Sequence, residues 1–89
     1  MSQMDQIMSC QISFIPLKNS NVNASVDQII ELIKKSNLDY RIGMMSTELR
    51  GNRELILELI NTLLDYATEN TQFILDVRFS NQCGLAKNV

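Results

Sequence analysis

The chain is predicted to fold as an α+β sandwich, a four-stranded antiparallel sheet with two helices packed against one face. Three observations predict it. Polar and apolar residues alternate through Ile7–Ile15 and again through Phe73–Ser80, the period-two signature of a strand with one buried side. Two intervening stretches, Val26–Ser36 and Arg53–Glu69, instead repeat their apolar residues at helical spacing. A third alternating stretch, Tyr40–Arg50, is long enough for two short strands and lies between the helical ones.

In the first strand Met8, Cys10, Ile12 and Phe14 share one side, and Ser9, Gln11 and Ser13 the other. Pro16 has no N–H to give a ladder and disfavours helix in the residue before it, so the strand is expected to end there. The Asn-rich stretch Lys18–Ala24 reads as a loop. Ser25 and Gln28 have the spacing of a capping box, and Val26, Ile29, Ile30 and Ile33 follow, which predicts a first helix over Val26–Ser36. Asn37 suits a left-handed helix terminator, and Leu38 is placed to fold back on the last turn.

Tyr40, Ile42 and Met44, then Thr47 and Leu49, form a hairpin with its turn around Met44–Ser46. Gly51–Asn52 is expected to break the second arm, with Asn52 capping a helix over Arg53–Glu69. That helix carries a wide apolar stripe of Leu55, Ile56, Leu59, Ile60, Leu63, Leu64 and Ala67. In the last strand Phe73, Leu75, Val77 and Phe79 oppose Ile74, Asp76, Arg78 and Ser80, and a flexible polar tail follows. The order strand, helix, strand, strand, helix, strand is the split βαβ pattern of the ferredoxin-like fold. One domain over residues 1–89, with its core at about 7–80, fits 89 residues of 45% hydrophobic content.

Composition narrows the function. With 8 basic and 10 acidic residues, a net charge of -2 and a pI near 4.9, the chain lacks the broad positive field that nucleic acid requires. Its apolar runs fall far short of the roughly 20 residues of a membrane span, and no export signal is legible, so a cytoplasmic location is expected. Cys10 and Cys83 lack the spacing of a metal or redox motif, the chain has no His, and two reduced thiols are expected.

If the helices cover the apolar side of the sheet, the other side carries Ser9, Gln11, Ser13, Arg41, Met45, Glu48, Arg50, Asp76 and Arg78. In this fold the first and third strands are central and the fourth pairs with the first, so Gln11, Glu48 and Asp76 can approach laterally. Small hydroxyls leave room for a flat ligand, and the amide or carboxylates can orient it. The bland alternative is a solvated face, or one that pairs with another copy through Arg–carboxylate bridges.

The segments QISFIPL and YRIGMMSTELRGN, with the helix that follows, resemble the YkoF-like thiamine-binding protein family of small ferredoxin-like domains. In that family the first strand runs into a Tyr-Pro or similar pair, here Ile15-Pro16. A later pattern, Tyr-x-Val-Gly-x-Met-x-Thr-x-Ile-Glu-Gly, is matched by Tyr40, Gly43, Met45, Thr47, Leu49 and Gly51. The resemblance spans roughly Ser9 to Phe79. One departure is Arg50, which stands where the family usually has an acidic residue.

The resemblance implies non-catalytic binding of thiamine or its hydroxymethylpyrimidine moiety, with no other cofactor, in supply or transport of the vitamin. It also implies dimers that associate into tetramers. The candidate ligand residues are Gln11, Ser13, Tyr40, Met45, Thr47, Glu48 and Asp76. Gln11, Glu48 and Asp76 suit an aminopyrimidine, while a carboxylate or the ring of Tyr40 suits the thiazolium cation. Ser13 and Thr47 offer hydroxyls, and Met45 a soft contact surface.

Rival functions fare less well. An acylphosphatase-like enzyme would use an Arg and an Asn, and Arg50 and Asn52 exist, but no glycine-rich anion loop precedes the first helix. No nucleophile and base can be paired from the sequence. A copper-carrying module would need Cys-x-x-Cys in the first loop, and an RNA-recognition module would need aromatic residues where Gln11, Ser13, Glu48 and Arg50 stand. The remaining alternative is a homo-oligomeric assembly or regulatory module with no small ligand.

Overall fold

The computed structural model describes residues 7–17 and 22–81. Cys83, the polar tail and the first part of the expected Lys18–Ala24 loop lie outside the described residues. The elements are β1 (Ile7–Pro16), α1 (Val22–Lys34), β2 (Asp39–Ile42), β3 (Thr47–Asn52), α2 (Arg53–Asn70) and β4 (Phe73–Ser80). All strand pairs are antiparallel and the sheet order is β2-β3-β1-β4, so β1 and β3 are central and the fold is ferredoxin-like.

The alternation in β1 sets the two faces. Cys10 and Ile12 are buried together with Leu49 of β3, beneath Ile29 and Ile33 of α1 and Ile56, Leu59 and Leu63 of α2. Met8, Phe14, Leu75 and Val77 pack on this cluster from the sheet, and the Phe14 and Phe73 rings lie 5.6 Å apart. Among the described residues no helix lies over the sheet's other side, and Ser9, Gln11 and Ser13 fall there as expected.

Four details differ from the sequence reading. First, α1 starts at Val22 rather than after Ser25, so Val22–Ala24 are helical. Ser25 is buried, because it stands four residues before Ile29 and eight before Ile33, at the head of the same buried stripe. Second, α1 ends at Lys34 and tightens through Ser36, whose N–H donates to the Ile33 carbonyl at 3.1 Å and whose Oγ donates to the same oxygen at 2.6 Å. Asn37 then takes a φ of 67° and Leu38 turns inward to burial, as its terminator role requires.

Third, Gly51 and Asn52 do not break β3: they pair with Met8 and Ile7 and extend the ladder to the first residue of α2. Fourth, the apolar stripe of α2 is wider than its buried face. Ile56, Leu59, Leu63 and Ala67 are buried, whereas Leu55 and Leu64 remain exposed on either flank.

Asn52 nonetheless caps α2, its Oδ1 accepting from the N–H groups of Glu54 at 2.8 Å and Leu55 at 3.3 Å. Asn52→Ala removes that acceptor and is expected to cost about 1 kcal/mol, within the usual ~0.5–2 kcal/mol range for such caps. Chemical denaturation checks this, and Asn52→Asp, which keeps an oxygen in place, should recover most of the loss.

Candidate functional site

The register sorts the open face into cross-strand rows. Asp39, Arg50, Ser9 and Ser80 form one row from β2 to β4; Arg41, Glu48, Gln11 and Arg78 form the next. Ser13 faces Asp76 in a third, and Ile15 faces Ile74 in a fourth. Because neighbouring strands are about 4.8 Å apart, each row places its side chains within reach of one another.

Two contiguous depressions lie on this face. One, of about 670 Å³, crosses the two charged rows; the other, of about 480 Å³, is lined by Ser13, Met45, Ser46 and Asp76 and shares Gln11 and Arg78 with the first. Two hydrogen bonds hold the β2–β3 loop against the second depression. Gln11 Nε2 donates to Ser46 Oγ at 3.1 Å, and Ser13 Oγ donates to the Met45 carbonyl at 3.2 Å. One N–H of Gln11 and the Ser13 hydroxyl are thereby engaged, which leaves the Gln11 carbonyl oxygen, its second N–H and the Ser13 lone pairs beside the Asp76 carboxylate. The second depression is therefore suited to a donor-rich or cationic group.

The first depression has the opposite character, with three arginines against two carboxylates. Arg50 Nη1 lies 4.0 Å from Asp39 Oδ2, a loose pair with the carboxylate largely in solvent, and such pairs contribute little. Arg50 Nε is buried and has no hydrogen-bond partner among the described residues, an arrangement that costs about 1–3 kcal/mol unless something satisfies it. Arg41 and Arg78 are exposed and, among the described residues, form no ion pair.

Five of the seven expected ligand residues are brought together. Gln11, Ser13, Glu48 and Asp76 share the open face, and Met45 sits in the loop at its margin with its side chain exposed. Tyr40 and Thr47 differ in parity from them, although Tyr40 borders the first depression beside Gln11 and Glu48, and Thr47 borders a crevice with Ser13 and Met45. Tyr40 is registered with buried Leu49, and Thr47 with buried Ile12, so both belong to the helix side of the sheet. Thr47 there lines a crevice of about 180 Å³ with Val26 and Ile30 of α1. Ser46, Asp39 and Ser80 were missed. Parity along β2 and β4 was a usable signal for the last two, while Ser46 is a loop residue whose position depends on the folded hairpin.

Burial pushes the Cys10 thiol up to about 11, which keeps it protonated and unreactive at neutral pH. Among the described residues no three His, Cys, Asp or Glu side chains are grouped to hold a metal. No described helix is long and apolar enough to cross a membrane.

A four-stranded antiparallel sheet backed by two helices on one face, with two depressions on the other, defines a ferredoxin-like module. Residues 10–84 match the model of the family described as thiamine-binding protein, and the chain belongs to that family. No curated protein sequence matches it. Among solved structures, a domain of unknown function from Bacillus cereus superposes with a TM-score of 0.74 at 23% identity, covering 84% of this chain and 75% of that one. A proposed thiamine biosynthesis/salvage protein from Thermotoga maritima superposes with a TM-score of 0.67 at 23% identity, covering 88% and 86%. A protein from Streptococcus pneumoniae gives a TM-score of 0.75 at 18% identity, covering 83% and 84%. At these identities the structures share the fold.

Proposed function

We propose that this chain is a cytoplasmic, non-catalytic binding protein for thiamine or a related hydroxymethylpyrimidine compound, acting in supply or transport of the vitamin. The observation that carries this reading is the acceptor cluster of Gln11, Ser13 and Asp76 on the open face of a chain of the thiamine-binding family. An aminopyrimidine presents an exocyclic N–H donor beside ring nitrogens, and the thiazolium carries a fixed positive charge. Asp76 can accept from the first or attract the second, and the exposed Met45 offers an apolar edge for the ring. The same site supports binding better than turnover. It has no His, and the described thiol, Cys10, is buried on the far side of the sheet.

Calorimetric or thermal-shift titration with thiamine and with hydroxymethylpyrimidine tests the reading. Saturating ligand is expected to raise the melting temperature through its preference for the folded state. Asp76→Asn is expected to weaken binding about tenfold, the usual order for a lost charge-assisted hydrogen bond. No stabilisation by either compound would refute it.

A second reading rests on Ile15 and Ile74, adjacent in register on the open face and both exposed. Such a pair favours self-association through that end of the sheet, as a dimer or a larger assembly. Sedimentation with and without Ile74→Lys separates the two: a change in mass without a change in affinity assigns Ile74 to assembly alone.

A further inference from the structure

We infer that the larger depression is an anion site and that the ligand taken by this chain is a phosphate monoester of the pyrimidine or of thiamine. The inference rests on the function proposed above and names the form of the ligand. Its starting point is the mismatch between the two halves of the open face. At Asp76 and Ser13 the groups left over are mostly acceptors, whereas at Arg78, two residues further along β4, and across to β3 they are guanidinium groups.

The geometry is that of a cradle. Ser9, on central β1, has a short side chain and forms the floor; Arg50 stands beside it on β3, and Arg78 stands one row away on β4. Two strand spacings and one two-residue step separate the Arg50 and Arg78 Cα atoms, roughly 12 Å, a gap that two long guanidinium side chains close from either side. Arg41 reaches over the same depression from β2.

These arginines are not used up by the protein. Arg50 holds Asp39 only at 4.0 Å and has a buried Nε without a partner among the described residues; Arg41 and Arg78 form no ion pair among them. A planar guanidinium with vacant donors matches the oxygens of a phosphate in paired hydrogen bonds. The chain as a whole has a net charge of -2, so three arginines on one small concavity, against Asp39 and Glu48, are a local reversal of sign.

A single ligand can span both halves. Asp76 and Arg78 lie on the same face of β4, about 7 Å apart along the strand, and both depressions are lined by Gln11 and Arg78. The amino-bearing ring would lie at Asp76 and Ser13, with the ester phosphate over Ser9.

Parallel titrations of the full chain with thiamine, thiamine monophosphate and inorganic phosphate test this. Thiamine monophosphate is expected to bind about tenfold or more tightly than thiamine, the effect of one or two charge-assisted hydrogen bonds, and the preference should shrink as salt is raised. In Arg78→Gln and Arg50→Gln the ratio of the two affinities should fall toward one. Equal affinity of the wild-type chain for both compounds, or arginine variants that leave the ratio intact, would overturn the anion site and leave the thiamine reading standing. Stabilisation by inorganic phosphate that Arg78→Gln removes, without any response to thiamine, would keep the anion site and refute the thiamine reading. No response to any of the three would refute both.

Discussion

Ile56→Ala is expected to lower the melting temperature by roughly 8–40 °C, the combined result of a core truncation costing about 2–5 kcal/mol and a domain of this size losing about 4–8 °C per kcal/mol. Ile56 is 0% exposed and belongs to the cluster formed by Ile33 of α1, Leu49 of β3 and Leu63 of α2. It therefore sits where both helices meet the centre of the sheet. Truncation removes apolar surface and leaves a cavity that a tightly packed layer fills only in part. Total stability for a domain of this size is about 5–10 kcal/mol, so the variant should be near the edge of folding at physiological temperature. Leu57→Ala, one residue on but exposed, is the matched control and should shift stability by about 0.5 kcal/mol or less. Similar losses from the two variants in a thermal melt would mean that α2 does not present Ile56 to the sheet.

Gly51→Ala is expected to cost about 2–6 kcal/mol, although it adds a single methyl group, because backbone strain and overpacking each contribute about 1–3 kcal/mol. Gly51 has a φ of 157°, on the positive side that L side chains rarely adopt. A Cβ there would stand 2.6 Å from Cδ2 of Leu38, which is itself buried after turning inward behind Asn37. The two causes can be separated by a double-mutant cycle. In a Leu38→Ala background the steric part should vanish, so that Gly51→Ala costs only its backbone part. Equal costs in both backgrounds would show that Leu38 does not close on Gly51.

Arg50, beside that glycine, links stability to the site. Its side chain faces opposite to Leu38, on the open side of the sheet, with a buried and unpartnered Nε. Arg50 shares its row with Asp39, and the neighbouring row sets Arg41 and Arg78 against Glu48, so the proposed anion site draws on both rows.

Local and long-range signals part company at particular residues. Gln11 and Ser13 were placed correctly because alternation in β1 is a local signal: once Cys10 and Ile12 are buried, their neighbours must face the other way. Tyr40 and Thr47 were grouped with them on a motif rather than on parity, and the hairpin register puts both on the helix side. The start of α1 was misplaced because Ser25 has the composition of a cap, while the deciding term was burial of the stripe it shares with Ile29 and Ile33. Gly51 looked like a strand break, yet the ladder with β1 runs through it because the missing Cβ makes room for Leu38.

By itself, then, the sequence determined the number and order of elements, the faces of β1 and β4, the Asn37 terminator and the Asn52 cap. Each of these depends on residues within a turn or two of one another, where spacing is fixed by covalent geometry. Only the tertiary structure decided which side chains stand beside one another across strands, and so that Arg41, Arg50 and Arg78 share one depression while Asp76 and Ser13 share the next. Lateral register is a long-range property: it follows from how four strands slide against one another until the apolar face is buried, and no local spacing records it.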